Sequence, residues 1–394
     1  MYDFDKPVER RGSGALKWDA LRERYGRDDL LPLWVADMDF ETPDFIVEAL
    51  RRRLEHPVFG YTVEPSGYRG AIVDWQQRRN GWTIRPEQLA FIPGIVKGIA
   101  LVIQRFTQPG DRIVVQPPIY HPFHLVPSGN DREVVWNPLQ RTGTGYAMDF
   151  DDLEAKLSDP RCRLLILSNP HNPVGIAWDA ATLQRLAACC AAHDVIVISD
   201  EIHADMPLFG HRHTPFASVS AEAARCSITF AAPSKTFNMA GIVSSYAVVP
   251  NETLREQFFS YLRANELDEA HLFAPIATEA AYRHGEAWLG EMLRYVEGNI
   301  GTVEAFCRER IPAVRPVRPE ASFLVWLDCR GLQLPQRELV SFFIDEARLA
   351  LNDGAMFGPG GEGFMRLNVG TQRARLVEAL ERLEAAVRRR QPGK

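Results

Sequence analysis

The chain predicts an α/β fold: a large domain on a mainly parallel sheet flanked by helices, with a smaller α+β domain beside it. Three observations carry this. Four short, nearly all-apolar runs recur in the middle of the chain, at 112–115, 162–167, 195–199 and 227–231. Uninterrupted apolar runs of that length suit strands covered on both faces, as in a parallel sheet. Between the second and third, Leu183, Leu186, Ala187 and Cys190 fall at i, i+3, i+4 and i+7, the stripe of an amphipathic helix over 179–193. Strand, helix and strand at such short spacing make a βαβ unit. The third observation is the change of pattern from about residue 286, where a long helical stretch is followed by a short strand (322–328) and helices at 336–348 and 372–390.

The domains are therefore placed at 48–285 for the large one, and at 1–47 with 286–394 for the small one. The first forty or so residues, rich in proline and aromatics, are expected to wrap against the latter. No repeat, low-complexity tract or Gly/Ser linker divides the 394 residues.

Composition narrows the partners. The chain is 46% hydrophobic with a net charge of −6, so it can bury a large core and gives no electrostatic reason to bind nucleic acid. Arg388-Arg389-Arg390 reads as a solvated helix end, where cations suit the dipole. No run of about 18 apolar residues predicts a membrane span, and the acidic start Met1-Tyr2-Asp3-Phe4-Asp5 lacks the order of a signal peptide. The six cysteines show no metal-ligand spacing and several lie in apolar runs, so reduced, buried thiols and a cytoplasmic location are expected.

The chemistry concentrates at strand ends. Lys235 follows the apolar run 227–231 through Ala232-Pro233-Ser234. The carboxyl edge of a parallel sheet is where ligands bind, and desolvation there makes an amine nucleophilic. Asp200 ends the run VIVIS. It is either the cap of a following helix or a buried carboxylate that needs a cationic partner such as a pyridinium N–H. Asn172 lies in Ser168-Asn169-Pro170-His171-Asn172-Pro173-Val174-Gly175, a turn that puts an amide at the same edge. Pro93-Gly94-Ile95-Val96 opens a helix whose free N–H groups suit a phosphate.

In this order, SNPHNPVG, SDEIH and APSKTFNMAG resemble the fold-type I, aspartate-aminotransferase-like superfamily of pyridoxal-phosphate enzymes. Asn172 and Asp200 lie 28 residues apart, and Asp200 and Lys235 lie 35 apart. Trp34-Val35-Ala36-Asp37-Met38-Asp39-Phe40, Gly60-Tyr61-Thr62 and Arg366-Leu367-Asn368-Val369-Gly370-Thr371 are similar to the MalY/PatB branch, the cystathionine β-lyase and cystalysin type of C–S lyase.

The resemblance implies pyridoxal 5′-phosphate as cofactor, a seven-stranded-type sheet and no metal. It makes Lys235 the lysine that carries the cofactor as an imine. Asp200 becomes the pyridinium partner, Asn172 the donor to the 3′-oxygen and Tyr120 the stacking ring. Gly94, Ile95, Val96 and Ser234 fall at the phosphate, and Arg366 at the substrate α-carboxylate, with Asp37 near the substrate. Tyr61 matches a tyrosine that reaches the phosphate of a neighbouring subunit, which implies a homodimer with shared sites. Read on their own, Tyr61 could simply be core, Arg366 a surface ion pair and Tyr120 plain packing, which are the lesser readings of each.

Two positions depart from the wider superfamily. Val243 stands where many transaminases carry a phosphate-binding arginine. His203 stands where a tyrosine donor to the 3′-oxygen is common; it is placed with the cofactor-binding residues as a donor from its imidazole N–H, a group that can titrate near neutral pH. The expected reaction is β-elimination from a cysteine-like amino acid: Lys235 takes the α-proton, a thiolate leaves, and hydrolysis gives pyruvate and ammonia. An aminotransferase shares every earlier step, and racemisation or β-decarboxylation the same α-carbon chemistry. A protein-binding regulatory role remains open alongside catalysis.

Overall fold

The computed structural model describes residues 2–143 and 145–390; Met1 and 391–394, which fall in the expected small domain, and Thr144 lie outside the described residues. Seven strands form the main sheet: β1 (Leu89–Phe91), β2 (Arg112–Val115), β3 (Glu133–Trp136), β4 (Cys162–Ser168), β5 (Ile196–Asp200), β6 (Ser227–Ala231) and β7 (Tyr246–Val248). Their order across the sheet is β1-β7-β6-β5-β4-β2-β3. Only β7 runs against its neighbours, pairing antiparallel with β1 and β6, while β2 to β6 pair in parallel.

The apolar runs are explained by what lies on each face. Along β4, Leu164 and Ile166 enter one cluster and Leu165 and Leu167 the other, because successive side chains alternate across a strand. On the first face, helix α1 (Ile95–Phe106) contributes Ile99, Val102 and Ile103. On the second, α2 (Ala180–Ala192) buries the expected stripe of Leu183, Leu186, Ala187 and Cys190. Asp179 caps α2 by accepting from Thr182 N–H at 2.7 Å. At roughly 25 cal/mol per Å², two covered faces supply the main drive for this layer.

Beyond the sheet, α3 (Glu286–Arg310) leads into a four-stranded antiparallel sheet. Its strands β8 (Arg315–Val317), β9 (Leu324–Asp328), β10 (Asn352–Asp353) and β11 (Phe364–Asn368) are arranged β8-β9-β11-β10. The last helix, α4 (Arg373–Arg390), packs on α3. The N-terminal segment does meet this region: Leu31–Pro32 pairs in parallel with Leu349–Ala350, and Asn368 N–H donates to Leu33 C=O at 3.0 Å.

Two elements differ from the expected ones. The helix expected over 336–348 is α-helical only over Gln336–Ser341, widens to a π-turn over Phe342–Glu346, and stops because Arg348 turns left-handed at φ 58°. The strand expected over 195–199 shifts by one and includes Asp200, so Asp200 is not a helix cap; a turn follows it. Among the described residues no helix is long and apolar enough to cross a membrane.

Candidate active site

Three parallel strands end side by side, with Ser168 on β4 paired to Asp200 on β5 and Asp200 paired to Phe230 on β6. Past β4 the chain reaches Asn172, and past β6 it reaches Lys235 through a tight turn. A cavity of about 220 Å³ opens there. It brings together Gly94, Ile95, Val96, Tyr120, Asn172, Asp200, His203, Ser234 and Lys235, all expected from sequence, with Val243, Ser244 and Ser245 among the other lining residues.

Burial sets the charges. It raises the Asp200 carboxyl to about 7, against the opposing pull of an Ile202 N–H on Oδ1 at 3.0 Å and of the nearby Lys235. No donor among the described residues meets Asp200 Oδ2. Burial also lowers the Lys235 amine to about 8, with Asp37 and Asp200 working against the shift and Arg366 adding to it. The amine donates to the Ala36 carbonyl. His203 is pushed down to about 3 by burial, then by Lys235 and Arg366, so it stays a neutral imidazole; its Nδ1 faces Ser322 Oγ at 3.1 Å. His203 therefore does not titrate near neutrality.

At the other end of the cavity α1 begins without a side-chain cap. Its first intrahelical bond runs from Gly98 N–H to Gly94 C=O at 2.8 Å, which leaves the N–H groups of Ile95 and Val96 unused by the helix. Gly94 holds φ 108°, a conformation that L side chains rarely adopt. Val243 lines the cavity in place of a guanidinium. Beside it Ser244 Oγ is buried with no hydrogen-bond partner. These serines were missed from sequence, although Ser244-Ser245 directly follows the position of the absent arginine.

The residues fit pyridoxal phosphate. Two helix-start amides and the orphaned Ser244 hydroxyl suit a phosphate, Asp200 needs a cationic partner, and Asn172 Nδ2 has no acceptor among the described residues. Asn172 Oδ1, by contrast, accepts from Arg366 Nη1 at 3.0 Å.

Arg366, on β11, is 4% exposed, so the surface ion-pair reading does not hold. Its other partners are Asn352 Oδ1 at 2.6 Å and Trp34 C=O at 3.1 Å, and its guanidinium lies 5.0 Å from the centre of the Phe357 ring. Nε is buried without a partner, and burial lowers the group to about 10. A buried guanidinium held only by neutral oxygens is short of a counter-charge, which an anionic ligand would supply.

Asp37 and Tyr61 are absent from the lining of this cavity. Arg10 grips both Asp37 oxygens, at 2.7 and 3.1 Å, and Asp37 acts on Lys235 through its charge. Tyr61 is neither core nor part of this cavity. It is fully exposed, on a separate surface cleft with Phe59 and His271.

The comparisons with known proteins agree with this geometry. Cystathionine beta-lyase PatB of Bacillus subtilis (strain 168) is 46% identical over 385 residues, 98% of this chain and 100% of that protein. Cystalysin from Treponema denticola, solved with a pyridoxal 5′-phosphate cofactor, superposes with a TM-score of 0.95 at 31% identity, covering 99% of each chain. The pyridoxal-phosphate-bound C–S lyase from Staphylococcus hominis does so at 0.90 and 32% identity, covering 98% of each. With a strand-edge lysine, a buried aspartate, a capless helix start and a family model matched over residues 28–383, the chain belongs to the aminotransferase class I and II family.

Proposed function

We propose that the protein is a pyridoxal-phosphate-dependent C–S β-lyase that cleaves cystathionine or a related cysteine S-conjugate to a thiol, pyruvate and ammonia. The observation that carries amino-acid chemistry is Arg366: a buried cation without an acid, joined through Asn172 to the cavity that holds Lys235 and Asp200. The choice of elimination over transamination is supported by relatives named as lyases.

The division of labour follows from the groups present. Arg366 holds the α-carboxylate through the donors that its protein partners leave free, the unpartnered Nε–H among them. Asp200 keeps the proton on the ring nitrogen. Asn172 Nδ2 would donate to the 3′-oxygen, with the neutral His203 imidazole also lining the site, and the Tyr120 ring would hold the cofactor ring. Ile95 and Val96 amides, Ser234 and Ser244 take the phosphate. When bound, the cofactor supplies an electron sink for the α-carbon. Lys235, whose amine sits at about 8, is partly neutral near physiological pH and moves the α-proton. The sulfur leaves as a thiolate, a good leaving group.

Purified enzyme given cystathionine alone should release pyruvate. A strict requirement for 2-oxoglutarate or another keto acid would instead make it an aminotransferase.

The assembly we propose is a homodimer with shared sites, in which Tyr61 reaches the phosphate held by the neighbouring chain. Support comes from its loop, where Phe59 is 61%, Tyr61 106% and Val63 90% exposed, a costly display of apolar surface for a lone chain. Sedimentation at micromolar concentration should give a dimer, and a monomer overturns this assignment. The division into 48–285 and 1–47 with 286–394 is supported by the pairing of Leu31–Pro32 with Leu349–Ala350. Six unpaired cysteines support a cytoplasmic location, which cell fractionation would check.

A further inference from the structure

The Trp34–Phe40 segment supplies no side chain to the cavity's polar groups, yet its backbone meets both cations of the site. The Trp34 carbonyl accepts from Arg366 Nη2 at 3.1 Å and the Ala36 carbonyl accepts from Lys235 Nζ. Carbonyls 35 and 37 turn the other way, onto Asn368 Nδ2 at 2.6 Å each. A short strap thus spans the group proposed to bind the substrate carboxylate and the group proposed to move the proton.

Two side chains hold the strap from opposite sides. Asp39, 0% exposed, accepts from Lys17 Nζ at 2.9 Å, Arg10 Nη1 at 2.9 Å and Trp18 Nε1 at 3.2 Å, with Arg375 at 3.4 Å. Two carboxylates, Asp37 and Asp39, sit among three cations, and the fully buried Lys17–Asp39 pair at their centre is costly to break, since removing either partner leaves the other charge buried and unpaired. Asn238 lies three residues after Lys235 in a left-handed turn at φ 50°. Its Oδ1 accepts from Met38 N–H at 2.9 Å and its Nδ2 donates to the Met38 and Phe40 carbonyls at 3.0 and 2.6 Å. The lysine turn and the strap are therefore registered against each other.

We propose that Asp39 and Asn238 are positioning residues for the reaction, fixing the strap so that the Trp34 carbonyl stays on Arg366 and the Ala36 carbonyl on the amine of Lys235. They touch neither substrate nor cofactor; they set the spacing and orientation of two groups that do. This accounts for the strap's acids: they anchor a stretch of backbone. The inference rests on the roles given above to Lys235 and Arg366.

The test uses glycine, which carries the α-carboxylate and α-amine but has no β-substituent to lose. Its dissociation constant is read from the change in cofactor absorbance of the holoenzyme. In Asp39→Asn and Asn238→Ala it should rise about ten- to a hundredfold, the worth of one hydrogen bond to a charged group. In cofactor-free protein, the rate at which added pyridoxal phosphate develops its bound absorbance should fall in the same variants, because the amine is no longer held. A merely structural role would lower the melting temperature and leave both quantities unchanged in the folded fraction. Should Asp39→Asn fail to fold, Asn238→Ala decides, since it leaves the buried charges intact. Unchanged glycine affinity and cofactor uptake in the folded variants overturn the inference alone, provided Arg366→Lys weakens glycine and the wild type takes up cofactor. If either control fails, the roles of Lys235 and Arg366 fall and the inference with them.

Discussion

Lys235→Ala should lose cystathionine cleavage by on the order of 10³-fold or more, the upper part of the range for a positioned general base, and should lose the absorbance of covalently held cofactor. The fold should survive. Lys235 Nζ makes one hydrogen bond, to the Ala36 carbonyl, and its burial is a cost to the cofactor-free protein. The sign follows from the shift: the amine sits at about 8 when folded against 10.5 in the free side chain. Folding therefore opposes the charged form, and the penalty is fully present below about pH 8 and fades as the pH rises towards 10.5. At pH 7 the alanine variant without cofactor should melt no lower than the wild type. Pyruvate release and a calorimetric scan of cofactor-free protein check the two halves separately. Retention of more than roughly a tenth of kcat would remove Lys235 from the proton transfer.

What could be read from sequence was what one strand or one helix decides locally. The β4 run gave away its two-sided burial because Leu164 to Leu167 leave no polar face, and α2 declared its buried stripe by spacing alone. Lys235, Asp200 and Asn172 were legible because each stands just past an apolar run, where a charged or amide side chain is hard to justify as core. The strap was legible as wording and not as structure. Nothing local says that Asp37 pairs with Arg10, 27 positions earlier, or that Asp39 meets Arg375 from the last helix. The helix expected over 336–348 failed for the same reason. Its end is set by Leu349–Ala350 pairing with Leu31–Pro32, a partner more than 300 residues away that no periodicity announces. Ser244 was passed over because a hydroxyl becomes informative only once its burial and lack of a partner are known.

Asp200→Asn tests the electrostatic half of the site, and its effect should show in stability as well as rate. In the cofactor-free protein burial holds the Asp200 carboxyl at about 7, against 3.8 for the free side chain. Between those values the unfolded chain has lost the proton and the folded chain keeps it, so stability falls as the pH rises, by at most ~1.4 kcal/mol per unit. Above about pH 7 the penalty is constant, and Lys235 adds no slope below about pH 8. A cationic ring nitrogen removes the penalty by giving the carboxylate its partner. The gain in melting temperature on adding pyridoxal phosphate should therefore widen from pH 4 to 7 in the wild type, and widen less in Asp200→Asn. Removing one member of a buried charge pair costs about 3–5 kcal/mol, and the same loss in the transition state lowers kcat/KM roughly 10²- to 10⁴-fold in the variant. A variant with the wild-type pH trend and undiminished turnover would mean that Asp200 meets no cation, leaving its place at the end of β5 without a chemical reason.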